Sequence, residues 1–168
     1  ENLCNFLIGK GVNALFPGGS TGEGTLLSIE ERKQLAELVM KYAKDRVPVI
    51  IHTGTNLPHE TLELTKHAET IGAAGAAMIP PYYYGYDDKC LLEYFGNIAK
   101  ATPDFPLYLY HIPVNAKNDI KPTLLKELVT QHPNIVGLKD SSQDFIRFLD
   151  YVEEMGEDGL VLMNIPGP

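Results

Sequence analysis

The sequence predicts an α/β fold of the (β/α)8 TIM barrel class, with about six to seven of the eight βα units present in this chain. Two observations predict it. Short apolar runs alternate with amphipathic segments at the spacing of βαβ units, which requires a parallel sheet buried on both faces. Polar residues also recur where successive apolar runs end, as they do on the catalytic face of a barrel.

The composition is that of an ordinary globular protein. With 168 residues, of which 44% are hydrophobic and 21% charged, the chain can bury one sizeable core, and we treat residues 1–168 as a single, partial barrel domain. No apolar run approaches the roughly 18 residues that span a membrane. A net charge of -8 also disfavours nucleic-acid and anionic-membrane partners, because both require a basic surface.

Cysteines and histidines give no sign of a disulfide framework or a metal site. Cys4 and Cys90 are far apart and lie in helix-like segments, so a reducing cytoplasm is the default location. Four histidines lack the spacing of zinc ligands and are interpreted as surface or capping residues. They are His52, His59, His67 and His132. No metal is predicted.

The first half of the chain reads as three strands, each followed by a helix. Residues 1–10 resemble the end of a helix that Gly11 stops. Apolar runs predict strands at residues 12–16, 47–51 and 73–79. Helical spacing predicts helices at residues 28–42, 58–72 and 89–101. Ser28 and Glu31 have the spacing of a capping box, and Pro58 suits a first helical turn.

The second half repeats the same unit. Apolar runs predict strands at residues 107–110, 135–139 and 160–163. Helical spacing predicts helices at residues 122–131 and 145–152, the second of which Gly156 stops. A complete barrel of this class needs roughly 250 residues, so we expect this chain to leave sheet edges and apolar surface open.

A doubly wound nucleotide-binding sheet is the competing architecture. Residues 17–23 form a glycine-rich loop after the first strand, but they match neither G-x-G-x-x-G nor a P-loop. Polar residues instead follow several strands, which favours the barrel. They are Ser20 and Thr21, Tyr82 and Tyr83, Tyr110, and Lys139.

Lys139 ends the apolar run at residues 135–139. An ammonium at the rim of a core is poorly solvated, which favours a neutral amine that can attack a carbonyl. The alternative is that Lys139 is simply the first solvent-facing residue after a strand. Tyr110 is open to a similar alternative, as a core aromatic like Tyr108.

Four motifs at successive strand ends carry a family resemblance over nearly the whole chain. They are residues 18–23 (GGSTGE), 80–83 (PPYY), 110–113 (YHIP) and 137–142 (GLKDSS). In this order and spacing they resemble the dihydrodipicolinate synthase / N-acetylneuraminate lyase family of class I aldolases. The resemblance implies that Lys139 forms a Schiff base with pyruvate or another 2-oxo acid, without a metal or other cofactor.

The resemblance also implies roles for the other motifs. Tyr110 corresponds to the proton-relay tyrosine of the family. Ser20 and Thr21, with backbone amides of the turn around Gly19, correspond to the groups that hold the pyruvyl carboxylate. Tyr83 corresponds to the tyrosine that reaches into a neighbouring subunit's site, which implies a homodimer or a homotetramer.

Two departures from the family pattern bear on the substrate. His111 stands where asparagine is common. Asn115 stands where synthases usually carry an arginine that pairs with a substrate carboxylate, and an amide cannot replace that charged, bidentate contact. We therefore favour a lyase acting on sialic acid or a 2-keto-3-deoxy sugar acid. Dihydrodipicolinate synthase, which joins pyruvate to aspartate semialdehyde, and a catalytically silent homologue that binds ligands or assembles are the alternatives.

Overall fold

The computed structural model describes residues 1–43, 46–156 and 159–163. Helices lie at Asn2–Gly9 (α1), Ile29–Ala43 (α2), Pro58–Thr70 (α3), Asp88–Ala101 (α4), Pro113–Ala116 (α5), Pro122–Gln131 (α6) and Phe145–Met155 (α7). Strands lie at Ile50–His52 (β1), Gly75–Met78 (β2), Leu107–His111 (β3), Ile135–Asp140 (β4) and Leu160–Met163 (β5). Most of these bounds agree with the predicted ones to within three residues.

The sheet confirms the parallel architecture. The five described strands pair in the order β1-β2-β3-β4-β5, and every pairing is parallel. A doubly wound sheet reverses its strand order at a switch point, whereas a barrel keeps neighbours in chain order. The arrangement is therefore that of a barrel segment, in which all strands present their carboxyl ends on one side.

The strand predicted at residues 12–16 is wrong as a regular strand. Only Leu15 forms a bridge, in which its N–H donates to the carbonyl of Pro48 (3.0 Å) and its carbonyl accepts from Ile50 (2.9 Å). Pro48 and Pro17 have no N–H, so the ladder lacks the donors that would extend it to either side. The segment still lies beside β1 and carries the loop that follows it to the same end of the sheet.

The start of α2 confirms the predicted capping box. The backbone N–H of Ser28 donates to the Glu31 carboxylate (2.8 Å), and the Glu31 N–H lies 3.3 Å from the Ser28 hydroxyl. Two short elements were not predicted, a 3₁₀ turn at Gly24–Leu26 and α5. Both are too short to show a hydrophobic period in the sequence.

Apolar surface is open at the β5 side, as expected for part of a barrel. Four side chains of α7 are between 43% and 69% exposed, namely Phe145, Ile146, Leu149 and Val152. On β5, Leu160 and Leu162 are also exposed. None of the helices in the described ranges is long and apolar enough to cross a membrane.

Gly137 of β4 leaves room for both the carbonyl of Leu160 and the ring of Tyr108. A Cβ added at Gly137 would lie 2.5 Å from the Leu160 carbonyl oxygen and 2.7 Å from the Tyr108 ring. We expect Gly137→Ala to lower the free energy of unfolding by about 1–3 kcal/mol, because backbone or ring must shift. Urea denaturation measures this. Gly9→Ala is the matched control: a Cβ there meets nothing within 4 Å, so an equal loss in both variants would contradict the packing argument.

Candidate active site

Lys139 and Tyr110 are brought together by the pairing of β3 with β4. The two residues are direct partners in the parallel register, so their side chains leave the same face of the sheet. The Lys139 amine nitrogen, Nζ, lies 3.8 Å from the centroid of the Tyr110 ring and 5.5 Å from that of Phe16. The predicted amine and phenol are therefore neighbours.

The Lys139 side chain is only partly exposed and turns onto these rings. Its Nζ donates to the hydroxyl of Ser141, two residues further along the chain, at 2.9 Å. Aromatic ring faces attract an ammonium group, so Phe16 and Tyr110 form a platform that fixes the end of the lysine. Phe16 was not predicted as a site residue, because an aromatic residue that ends an apolar run reads simply as core.

Tyr110 is both a core residue and part of a polar contact. Its side chain is 3% exposed and packs with Ile79 and Phe16 in a small apolar cluster. Its hydroxyl lies 3.2 Å from the hydroxyl of Ser20, where either oxygen can donate. The two readings of Tyr110 made from the sequence are thus compatible, since the ring is buried while the phenol reaches the glycine-rich loop.

The glycine-rich loop folds tightly back on itself. A Cβ at Gly24 would lie 1.9 Å from the carbonyl oxygen of Gly18, which has a left-handed φ of 74°. A Cβ at Gly19 would lie 2.8 Å from the ring of Phe16. Positions 18, 19 and 24 therefore favour glycine for steric reasons. Because Gly19 has no side chain, the loop can lie directly against the ring of Phe16.

The two neighbouring hydroxyls of this loop have different surroundings. Ser20 contacts Tyr110. Thr21 is exposed and lines a cavity of about 400 Å³ together with Cys4 of α1 and Leu35 of α2. In the described ranges no hydrogen bond joins the Thr21 side chain to Tyr110 or Lys139, so only Ser20 is brought to the pair.

Tyr83 stands away from the pair, on the surface. Its side chain is 69% exposed and its backbone has a left-handed φ of 81°, which is strained for a tyrosine. The buried Asn118 holds this turn: its amide donates to the carbonyls of Pro81 (2.6 Å) and Tyr84 (2.8 Å) and accepts from the N–H of Tyr86 (2.7 Å). Rigid bonding on both sides of Tyr83 sustains the strained conformation.

The interpretation of the histidines as surface or capping residues is wrong for His52 and His132, which are both buried. His52 lies beneath the glycine-rich loop, with its Nδ1 2.9 Å from the carbonyl of Gly18. Arg32 of α2, also buried, donates to the His52 carbonyl (2.8 Å). Burial, reinforced by the Arg32 charge, lowers the pKa of His52 to about 3 and keeps the ring neutral. Because β1 extends to His52, this ring is carried into the core.

Two further observations concern metals and thiols. Over the described residues, no group of three or more His, Cys, Asp or Glu side chains could hold a metal ion. Cys4 and Cys90 are both free thiols. The groups that the strand ends bring together around the Lys139 amine are two aromatic rings, one of them a phenol, and the hydroxyls of Ser20 and Ser141.

Comparisons with known proteins identify the family to which the chain is similar. The family model described as "Dihydrodipicolinate synthetase family" matches residues 1–164. A 4-hydroxy-tetrahydrodipicolinate synthase of Thermus thermophilus is 43% identical over 165 residues, which cover 98% of this chain and 55% of that protein. The enzyme of the same name from Bartonella quintana is 37% identical over 163 residues, which cover 95% of this chain and 55% of that protein.

Solved structures agree in fold. Dihydrodipicolinate synthase from Aquifex aeolicus superposes with a TM-score of 0.92 at 34% identity, covering 96% of this chain and 55% of that one. The 2-keto 3-deoxygluconate aldolase from Picrophilus torridus gives a TM-score of 0.92 at 31% identity, and the superposition covers 97% of this chain and 58% of that one.

The chain spans about half the length of the curated relatives that it matches. The parallel sheet in chain order and the agreement with these structures make the fold a partial TIM barrel. With nearly all of its residues matched by the family model, the chain belongs to the dihydrodipicolinate synthetase family.

Proposed function

We propose that the protein is a class I aldolase, in which Lys139 forms a Schiff base with the keto carbon of pyruvate or of a 2-oxo acid that yields pyruvate. The observation that carries this proposal is the amine of Lys139 held 3.8 Å from the centroid of the Tyr110 ring, whose hydroxyl in turn contacts Ser20. An amine beside a group that can move protons is the minimal apparatus for imine chemistry.

The proposed reaction balances without a metal or an added cofactor. The neutral amine of Lys139 adds to the keto carbon, and the resulting carbinolamine loses one water to give the protonated imine. The imine accepts the electron pair when a C–C bond breaks or when a methyl proton leaves, giving an enamine. Bond formation with an aldehyde is the reverse, and one water then hydrolyses the imine to release the product.

Each proton in this sequence needs a carrier, and Tyr110 is the group proposed for it. Its phenol shares a hydrogen bond with the Ser20 hydroxyl at 3.2 Å, so a proton can pass between the two oxygens and towards the loop. Ser20, Thr21 and the backbone amides around Gly19 are proposed to hold the carboxylate of the 2-oxo acid, because successive amides in a tight turn suit an anion.

The names of the relatives favour a dihydrodipicolinate synthase, which was one of the two alternatives to a lyase. The reported relatives from Thermus thermophilus and Bartonella quintana are both named 4-hydroxy-tetrahydrodipicolinate synthase. We therefore propose condensation of pyruvate with aspartate semialdehyde as the first reaction to test. Cleavage of a 2-keto-3-deoxy sugar acid is the second candidate. It is favoured by the exposed Asn115 amide and by the similarity to a 2-keto 3-deoxygluconate aldolase.

We also propose that the protein acts as a homo-oligomer in the cytoplasm. Tyr83, Leu26 and Leu57 are large exposed side chains: Leu57 follows β1, Tyr83 follows β2, and Leu26 ends the 3₁₀ turn after the glycine-rich loop. A second copy that covered them would receive Tyr83 from a turn that is already rigid. A tetramer built from such dimers remains the expected assembly.

Incubation with pyruvate and borohydride tests the proposed chemistry. We expect mass spectrometry of the digested protein to find a reduced adduct on Lys139 and none on Lys126, an exposed lysine of α6. A folded protein with unmodified Lys139 would support the catalytically silent alternative. Pyruvate consumption with aspartate semialdehyde, compared with pyruvate release from 2-keto-3-deoxygluconate and from sialic acid, then separates the substrate candidates.

A further inference from the structure

His111 is a fully buried histidine whose two ring nitrogens each face a carboxylate. Its Nδ1 lies 2.8 Å from an oxygen of Asp140, and its Nε2 lies 2.9 Å from an oxygen of Asp119. The side chains of His111 and Asp140 are both 0% exposed. Each ring nitrogen therefore has a carboxylate oxygen within hydrogen-bond distance, and the imidazole is held between two acidic side chains.

This pair lies directly behind the candidate active site. His111 follows Tyr110 on β3, Asp140 follows Lys139 on β4, and the two are partners in the register, one step beyond Tyr110 and Lys139. Successive side chains of a strand point to opposite faces. His111 and Asp140 therefore join the same two strand ends from the helix side of the sheet.

On its Nε2 side, His111 is connected to α7 through Asp119. The Asp119 carboxylate that faces His111 also accepts from the guanidinium of Arg147 at 2.5 Å. The Tyr151 hydroxyl lies 3.2 Å from the His111 Nδ1 and donates to the carbonyl of Ile120. Its ring packs edge-on against the imidazole, with 5.6 Å between centroids. Asp119 thus links His111 to a helix rather than to the strands.

On its Nδ1 side, His111 is connected through Asp140 to the turn after β4. Asp140 accepts from the backbone N–H and the hydroxyl of Ser142, both at 2.9 Å. Burial opposes ionisation of this carboxyl, but the hydrogen bonds from His111 and Ser142 outweigh it and lower the pKa of Asp140. The Ser141 hydroxyl that accepts from Lys139 lies between these two residues, so the same turn holds the lysine on the other face.

We propose that His111 is a positioning residue, which sets the separation of Lys139 and Tyr110 by tying the ends of β4 and β3 together through Asp140. This inference rests on the proposed function of Lys139. It assigns no chemistry to His111, which cannot touch a substrate from its buried position behind the sheet. The bond to Asp140 does the positioning, while the bond to Asp119 only braces the ring against α7.

Two variants of similar polarity separate these bonds. An asparagine amide occupies about the place of Nδ1, so His111→Asn keeps the donor to Asp140. A glutamine amide extends to about the place of Nε2, so His111→Gln keeps the donor to Asp119 and loses the strand-to-strand bond. Because misplacing reacting groups by about 1 Å costs on the order of 100-fold, we expect His111→Gln to lower kcat by roughly 10- to 100-fold. We expect His111→Asn, which keeps the bond to Asp140, to have a kcat within about threefold of the wild type.

The split between kinetic constants distinguishes positioning from general instability. The proposed carboxylate-binding loop follows the segment beside β1 and contacts the Lys139–Tyr110 pair only through the Ser20 hydroxyl, so KM for pyruvate should change by less than about threefold in both variants. His132→Asn is the control for losing a buried histidine, and it should lower the unfolding midpoint while leaving kcat unchanged. Asp119→Ala, which cuts only the brace to α7, should likewise keep kcat within about threefold.

Each outcome has one consequence. Equal kcat values in the wild type and His111→Gln, with a borohydride-trapped adduct on Lys139 in both, would overturn this inference and leave the proposed function standing. No adduct in the wild type would overturn the proposed function and this inference with it. If His111→Gln does not fold, Asp140→Ala removes the same bond from the other strand, and an unchanged kcat there would overturn the inference.

Discussion

Lys139→Ala is expected to abolish the pyruvate adduct and to lower turnover by on the order of 10⁴-fold or more. The covalent route needs a primary amine at the carboxyl end of β4, and alanine removes it from the platform formed by Tyr110 and Phe16. Steady-state pyruvate consumption measures the turnover, and borohydride trapping followed by mass spectrometry measures the adduct.

The fold should survive this change, so the loss can be assigned to chemistry. Lys139 donates one side-chain hydrogen bond, to Ser141, and its side chain is only partly buried. Losing a bond of this kind costs about 1 kcal/mol of unfolding free energy. An unfolding midpoint close to that of the wild type would show that the variant is intact.

Two further substitutions exclude a purely electrostatic role for Lys139. Lys139→Arg places a guanidinium over the rings but cannot form an imine, so it should be as inactive as the alanine variant. Lys126→Ala removes an exposed lysine that pairs with Glu154 at 2.9 Å, and it should be as active as the wild type. Substantial turnover by Lys139→Arg would contradict Schiff-base chemistry at this position.

Much of this site could be predicted because its residues follow regular elements. Helix and strand periods located the strand ends, and parallel pairing then brought Lys139 and Tyr110 together. The same reasoning could not tell Ser20 from Thr21. In an irregular turn, adjacent side chains point in unrelated directions, and only Ser20 reaches Tyr110.

The parts that escaped prediction are pairs of buried polar groups. His52 meets Arg32, and His111 meets Asp140, over separations of 20 and 29 residues. A buried polar residue is stable only when its partner is present, yet nothing in the local sequence around either residue identifies that partner. Arg32 did carry one signal, because it lies on the same face of α2 as the buried Ala36 and Ala43.

Tyr110→Phe is expected to give the second largest loss, a fall in kcat of roughly 100- to 10,000-fold, which is the usual contribution of a general acid or base. Phenylalanine keeps the ring that packs with Ile79 and supports the Lys139 amine, so only the hydroxyl and its proton are removed. Dehydration of the carbinolamine should then become slow. Quenching with borohydride at successive times should show the Lys139 adduct forming more slowly than in the wild type.

The neighbouring Tyr108 provides the matched control. It is two residues earlier on β3, and its ring packs against Gly75 and Gly137 rather than beneath the amine. Tyr108→Phe should therefore leave kcat within about threefold of the wild type. Equal activity of Tyr108→Phe and Tyr110→Phe would mean that Tyr110 serves as a core aromatic, the alternative raised by the sequence.

The variant Ser20→Ala tests whether the Tyr110 phenol moves protons alone or together with the Ser20 hydroxyl of the glycine-rich loop. Ser20→Ala removes the oxygen that lies 3.2 Å from the Tyr110 hydroxyl, and we expect a loss of about tenfold because the phenol loses its orientation as well as a proton path. When Tyr110→Phe is already present, Ser20 has no phenol left to orient, so the double variant Ser20→Ala/Tyr110→Phe tests whether the two hydroxyls act together. If the two hydroxyls act as one relay, the combined loss should be no larger than that of Tyr110→Phe alone, whereas independent roles would multiply the two losses.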